Sequence, residues 1–267
     1  MFKSPGSVAF SIFNYDIKFY GVMLFLGMLA GIFTTCLVSK KYYKNVDLDT
    51  LTDFFPILII ASIISARIYY VLLSFDYYLN NPSEIFAIWH GGISIHGAIL
   101  GGLITGIIYF KIIKKIPLLP YADVISYGLA IGQCIGRWGN FFNQEAFGVP
   151  CNLPWKLYIE PAFRPLNFAQ FSYFHPAFLY ESIWDFFIFL ILFFIVRKWA
   201  KNRFGLVFFF YLALYSFGRI FIENIRTDSV LDVQNIPIAI IVSILTFLIS
   251  ILGIIFIIYK NKMPANS

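Results

Sequence analysis

The sequence predicts an all-α, polytopic integral membrane protein with seven transmembrane helices, and three observations carry that reading. Of 267 residues, 60% are hydrophobic and only 13% are charged, whereas soluble domains carry roughly 25% charged residues. Mean hydropathy is +0.78. The apolar residues also come in runs near the ~20 needed for a helix to cross a ~30 Å hydrocarbon core, not in the short alternating segments of a barrel.

The runs fall at 19–38, 54–73, 93–110, 118–135, 176–196, 204–222 and 236–259. The first and last contain no charge at all; the second holds Arg67 and the third His96. The fourth is the weakest, with Asp123 near its start and a polar cluster at its end. The fifth opens at His175-Pro176 and the sixth carries Arg219. Nothing between the runs is large enough for a second domain, so 1–267 reads as a single transmembrane domain with an excursion at about 137–175. No secretory leader is evident: Lys3 and Lys18 are far apart, Asp16 interrupts, and no small-residue cleavage site follows the first run.

The formal charge of +6 raises nucleic acid as a partner, but in a polytopic protein such an excess reflects loop topology, and no nucleic acid is expected. Twelve of the twenty basic residues, Lys40, Lys41, Lys44, Lys111, Lys114, Lys115, Arg197, Lys198, Lys201, Arg203, Lys260 and Lys262, follow runs one, three, five and seven. Seven lie on the opposite side, and Arg67 lies within a span. The positive-inside rule then places the N-terminus outside and the C-terminus in the cytoplasm, making 137–175 extracytoplasmic. Cys36, Cys134 and Cys151 show neither CxxC spacing nor a histidine partner, so no zinc site, other metal or cofactor is expected.

The most telling stretch is Gly136-Arg137-Trp138-Gly139-Asn140-Phe141-Phe142-Asn143-Gln144-Glu145. A charge beside a membrane-length apolar run costs roughly 2.5–3.5 kcal/mol or more, so it is normally kept for a ligand or partner. The arginine offers a planar fork suited to phosphate or carboxylate. At 1.5 Å per residue, Arg67 stands roughly 20 Å and Arg219 roughly 22 Å above the cytoplasmic ends of their runs. With Tyr20, His96 and Arg137 at the outer ends of theirs, five helices put their polar residues into the same outer third of the membrane.

Arg219, Glu223 and Arg226 share one face if their helix continues, either as a site or as a self-satisfied ion-pair ladder. His90 and His96 are six apart and point differently; His90 suits an interfacial loop, while His96 is followed by Gly97, Gly101 and Gly102 and suits close packing or function. His175 suits capping, with Tyr180 and Glu181 one turn further in. Clustered arginines with amides fit an anionic phospholipid headgroup, carboxylates fit its hydroxyls, and a histidine can take a proton near neutral pH.

At these residues a resemblance becomes specific. Gly91-Gly92 before His96-Gly97, the Gly136-Arg137-x-Gly139-Asn140-Phe141-x-Asn143-x-Glu145 stretch, His175-Pro176-x-x-Leu179-Tyr180-Glu181 and Gly218-Arg219-x-x-x-Glu223-x-x-Arg226 together resemble the bacterial phosphatidylglycerol–prolipoprotein diacylglyceryl transferases. The likeness runs from about Tyr20 to the final helix. It implies a seven-helix catalytic domain in the bacterial inner membrane, surrounded by membrane lipids. The implied reaction moves the diacylglyceryl group of phosphatidylglycerol to the thiol of a lipobox cysteine in a prolipoprotein signal peptide, forming a thioether and releasing glycerol phosphate. The implied catalytic residues are His96, Arg137, Arg219 and Tyr20. Those implied for substrate binding are Arg137, Asn140, Asn143, Glu145, Arg219 and Glu223, with Arg67, Tyr215, Arg226 and Glu181 in support. Two departures are mild: Ile95 stands where an aromatic is common and Ala98 where a glycine is usual.

Residue chemistry alone leads to related roles. Arg137 and Arg219 would stabilise charge on a departing phosphate, and His96 would be either a base for a thiol of pKa about 8.5 or an orienting group. A transporter would place its ionisable residues near the midplane and often in paired repeats, and no repeat is visible here. A purely structural or lipid-binding membrane protein has no need of a histidine beside an arginine cluster.

Overall fold

The computed structural model describes residues 1–13, 15–227, 232–233 and 236–260; Lys262, counted above on the cytoplasmic side, lies outside them. Among the described residues seven helices are long and apolar enough to cross a membrane: α1 Phe19–Tyr42, α2 Leu48–Leu73, α3 Ile95–Ile113, α4 Leu118–Asn143, α5 Ala177–Trp199, α6 Leu206–Glu223 and α7 Ile238–Lys260. The chain forms two compact units, Met1–Val38 with Ala122–Ser267, and Ser39–Tyr121.

The helix ends depart from the apolar runs for local reasons. α2 starts earlier than the run at 54, because Asp47 caps it by accepting from Thr50 N at 2.9 Å and Thr50 Oγ1 at 2.6 Å. α3 starts later than 93, after Gly91 and Gly92 turn the chain at φ +90° and +75°. α4 does not stop at 135 but carries the polar stretch as far as Asn143, so the excursion begins at 144. α6 ends at Glu223 with Arg226 just beyond it, so the continuous helical face expected for Arg219, Glu223 and Arg226 is not formed.

In the first unit, α1 and α4 meet through glycine. A Cβ on Gly31 would lie 2.8 Å from Gly128 O, so only glycine permits this backbone approach. Asp123, which made the fourth run the weakest, has a clear role here: its side chain is buried and accepts from Gly205 N at 2.7 Å and Phe208 N at 2.8 Å. It thus caps the N-terminus of α6 from a neighbouring helix. α6 packs along α7, and Trp184 of α5 donates to Leu214 O of α6 at 2.9 Å.

The chain is mostly helical but not purely so. Strands β1 Phe2–Lys3, β2 Val8–Ile12, β3 Tyr15–Lys18, β4 Leu157–Tyr158 and β5 Tyr173–Phe174 form a β2–β3 hairpin and a sheet in the order β1-β4-β5. Leu157 and Phe174 of that sheet join a small core with Phe141, Phe147, Ile159 and Phe178. Two more short strands, β6 Asp232–Val233 and β7 Ile236–Pro237, precede α7. The excursion also holds the chain after α6, with Val149 N bonded to Ile225 O at 2.8 Å and Thr227 N to Phe147 O at 3.3 Å.

Candidate active site

Glu181 is the centre of the site. It lies on the buried face of α5 with Ala177, Phe178, Ser182, Asp185 and Ile188, and its side chain is only 5% exposed. Burying a carboxylate there requires cations, and three helix-end arginines supply them. Arg137 Nη2 of α4 stands 2.6 Å from Glu181 Oε2, Arg219 Nη1 of α6 is 2.7 Å from Oε1, and Arg226 Nη1 is 3.1 Å from Oε1. Glu223 Oε2 takes Arg219 Nη2 at 2.6 Å and lies 3.9 Å from Arg226 Nε. The backbone bridge between Gly148 and Arg226 fixes the third arginine even though its helix has ended.

The geometry leaves guanidinium donors available. Arg137 Nη2 also donates to Tyr215 Oη at 3.3 Å, while its Nε and Nη1 have no hydrogen-bond partner among the described residues. Its close contact with Glu181 Oε2 is an ion pair without hydrogen-bond alignment. Three guanidiniums face two glutamates in a site where every one of these side chains is mostly buried. The open guanidinium donors of Arg137 suit an oxyanion.

Tyr20, Asn140 and Glu145 adjoin it. The Tyr20 ring lies over Gly139, where a Cβ would stand 2.9 Å from its Cδ2, and it is within electrostatic reach of Arg137 and Glu145. Asn140 Nδ2 donates to Glu145 Oε1 at 2.9 Å, and Glu145 N returns a bond to Asn140 O at 3.1 Å. Glu145 is held between Gln144 and Ala146, whose φ values of +52° and +54° are unusual for residues with a Cβ. Gln144 secures that turn by accepting from Glu160 N at 2.8 Å. Asn143 ends α4, half-buried.

Arg67 and His96 belong to the second unit. Arg67 is 7% exposed and donates from Nε to Ile85 O at 2.9 Å and from Nη1 to Gly91 O and Gly92 O, both at 2.6 Å, with Nη2 bonded to Glu84 O. Four of its five N–H donors therefore hold the loop that leads into α3. Ser94 N bonds Ala66 O at 3.1 Å, and Gly97 brings the start of α3 against Ser65 and Ala66. His96 immediately precedes Gly97 and is exposed, with its ring 6.3 Å from that of Tyr69 and no hydrogen bond to a described residue. Among the described residues no His, Cys, Asp and Glu group could hold a metal.

His175 bonds the Tyr180 hydroxyl through Nδ1 at 3.1 Å, and Trp155 Nε1 donates to the same hydroxyl at 2.9 Å, in keeping with a structural part. Sequence reasoning missed a polar layer one turn further along α5. It comprises buried Asp185 and Ser182, with Tyr211 Oη donating to Gln133 Oε1 at 2.8 Å and Ser182 Oγ to Cys134 O at 2.8 Å. The only sequence sign was the i,i+4 spacing of Glu181 and Asp185 on one helix.

A family model described as prolipoprotein diacylglyceryl transferase matches residues 7–258. A protein of Trichormus variabilis named phosphatidylglycerol–prolipoprotein diacylglyceryl transferase is 44% identical over 268 residues, covering 99% of this chain and 93% of that protein. Proteins of the same name from Synechococcus elongatus and Acaryochloris marina are 42% and 40% identical, each matching at least 98% of this chain and 91% or more of their own length.

Proposed function

The chain belongs to the prolipoprotein diacylglyceryl transferase family, and on that premise we propose that it transfers the diacylglyceryl group of phosphatidylglycerol to the thiol of a lipobox cysteine in a prolipoprotein signal peptide. The observation that carries this beyond the family is the buried cluster of Arg137, Arg219 and Arg226 around Glu181 and Glu223, in which Arg137 Nε and Nη1 are open to an anion.

In the reaction a sulfur–carbon bond forms at the glyceryl carbon and the carbon–oxygen bond to phosphate breaks. The electron pair leaves on the phosphate oxygen as glycerol phosphate, which gains one negative charge. Arg137 and Arg219 receive that charge through donors already desolvated and oriented, so little reorganisation is needed at the transition state. The thiol proton goes to His96, whose imidazole is exposed and makes no hydrogen bond to a described residue. Tyr20, Asn140, Asn143 and Glu145 take the headgroup hydroxyls, Tyr215 orients Arg137, and Arg67 acts by holding the loop before His96 rather than by binding lipid directly.

The basic residues that follow α1, α3, α5 and α7 support an N-outside, C-cytoplasmic orientation in the bacterial inner membrane, with the site in the outer leaflet. The test is purified protein given phosphatidylglycerol labelled in its diacylglyceryl part, together with a lipobox peptide. Mass spectrometry should find a thioether on the peptide and free glycerol phosphate. Lipid movement without peptide modification would identify a transporter and overturn the proposal.

A further inference from the structure

Asp185 is a buried carboxylate near the cluster that makes no ion pair with a described residue. It sits four residues beyond Glu181 on the same buried face of α5, at 2% exposure. Its Oδ2 has no hydrogen-bond partner among the described residues. An acceptor buried in this way is unfavourable unless something else requires it. Three elements surround it: Arg137 and Cys134 on α4, Glu181 on α5 itself, and Arg219 and Tyr211 on α6 are all within its electrostatic reach. Tyr211 is tied to Gln133 and stacks on Tyr215, 6.1 Å between ring centroids, so the layer next to Asp185 is itself fixed.

Resting on the proposed reaction, we infer that Asp185 is a positioning residue for the guanidiniums of Arg137 and Arg219. Glu181 holds both arginines in the free protein. A lipid phosphate arriving at their remaining donors pulls the two guanidiniums away from Glu181. Asp185, one helical turn deeper, then attracts the two arginines from the membrane-interior side and limits how far the anion can draw them out. Its Oδ2 accepts no hydrogen bond from a described residue, so Asp185 acts on the arginines through its charge and not through a bond. The residue touches no substrate.

The consequence is a divided kinetic effect. Asp185→Asn keeps the shape and removes the charge, which makes the site more positive and the arginines less restrained. Turnover at saturating phosphatidylglycerol should fall about tenfold, in the range for coupled neighbours, while KM for the lipid stays level or falls. Asp185→Glu should recover part of the lost kcat. A purely structural role would lower the yield of folded enzyme and leave kcat per folded molecule and KM unchanged. The experiment is steady-state transfer to a lipobox peptide by wild type, Asp185→Asn and Asp185→Glu in phosphatidylglycerol vesicles, normalised to folded protein. Wild-type kcat in Asp185→Asn, or a raised KM with kcat intact, would overturn the inference. An inactive wild type would instead refute the transferase reading, so the two failures are distinguishable.

Discussion

Replacing Glu181 with Gln removes one charge and almost no volume, so it isolates what the carboxylate contributes to holding three arginines. Its oxygens lie 2.6 Å from Arg137, 2.7 Å from Arg219 and 3.1 Å from Arg226. At an effective dielectric near 20, a pair at 2.7 Å attracts by roughly 6 kcal/mol, and much of this offsets the desolvation of both ions. The three losses are unequal. Arg219 and Arg226 keep Glu223, whereas Arg137 keeps a hydrogen bond to Tyr215 and no carboxylate contact among the described residues. The largest loss is thus at Arg137, a buried guanidinium left without its ion pair, which destabilises the protein by about 3–5 kcal/mol. Unfolding of purified protein in one fixed detergent would measure it. Asp53→Asn is the control, because the Lys114–Asp53 pair at 3.7 Å is exposed and should change stability by less than about 1 kcal/mol. Pairing Glu181→Gln with Arg137→Gln should destabilise less than the sum of the single changes, by about 0.5–3 kcal/mol. A Glu181→Gln protein within about 1 kcal/mol of wild type, or strict additivity with Arg137→Gln, would refute the reasoning.

Asp123→Ala should leave the Gly205 and Phe208 N–H groups without their acceptor and lower unfolding stability by about 2–4 kcal/mol, with kcat per folded molecule unchanged; a loss of kcat alone would contradict the capping role. Arg137→Lys should lower turnover by about 10²–10³, because a point charge cannot reproduce the guanidinium fork. His96→Ala should lose about 10²–10⁴ at neutral pH and recover part of it as pH rises toward the thiol pKa. A flat ratio to wild type from about pH 6 to 9 would remove the base role while leaving the phosphate role intact. Single cysteines at positions 42 and 199 should react with an impermeant probe only after the membrane is opened, and labelling only from outside would reverse the topology.

The seven spans are legible in the sequence because a ~20-residue apolar run has few other fates. Their ends are not. The start of α2 holds Asp49 and Asp53, which look like a loop until Asp47 is seen capping it. The polar run 136–143 looks like a helix end but is helix, since its charge faces partners and not lipid. Arg137, Arg219 and Glu223 are recognisable as intramembrane charges, yet the central place of Glu181 depends on the rotation of α4, α5 and α6 about their axes, which spacing along one chain does not encode. Arg67 looks like a lipid ligand in the sequence because the carbonyls that occupy it belong to a loop without periodic signal. The short strands β4 and β5 escape for the same reason: two residues are too few to show alternation.

The central claim is that the buried Arg137, Arg219 and Arg226 cluster selects an anionic lipid donor and stabilises its departing phosphate. Turnover of phosphatidylglycerol against phosphatidylethanolamine, in matched vesicles with the same lipobox peptide, tests it most directly when wild type and Arg219→Lys are run together. The account predicts strong preference for phosphatidylglycerol in wild type and a fall of about 10²–10³ in its turnover in Arg219→Lys. Equal turnover of the two lipids by wild type, or an Arg219→Lys enzyme as fast as wild type, would contradict it.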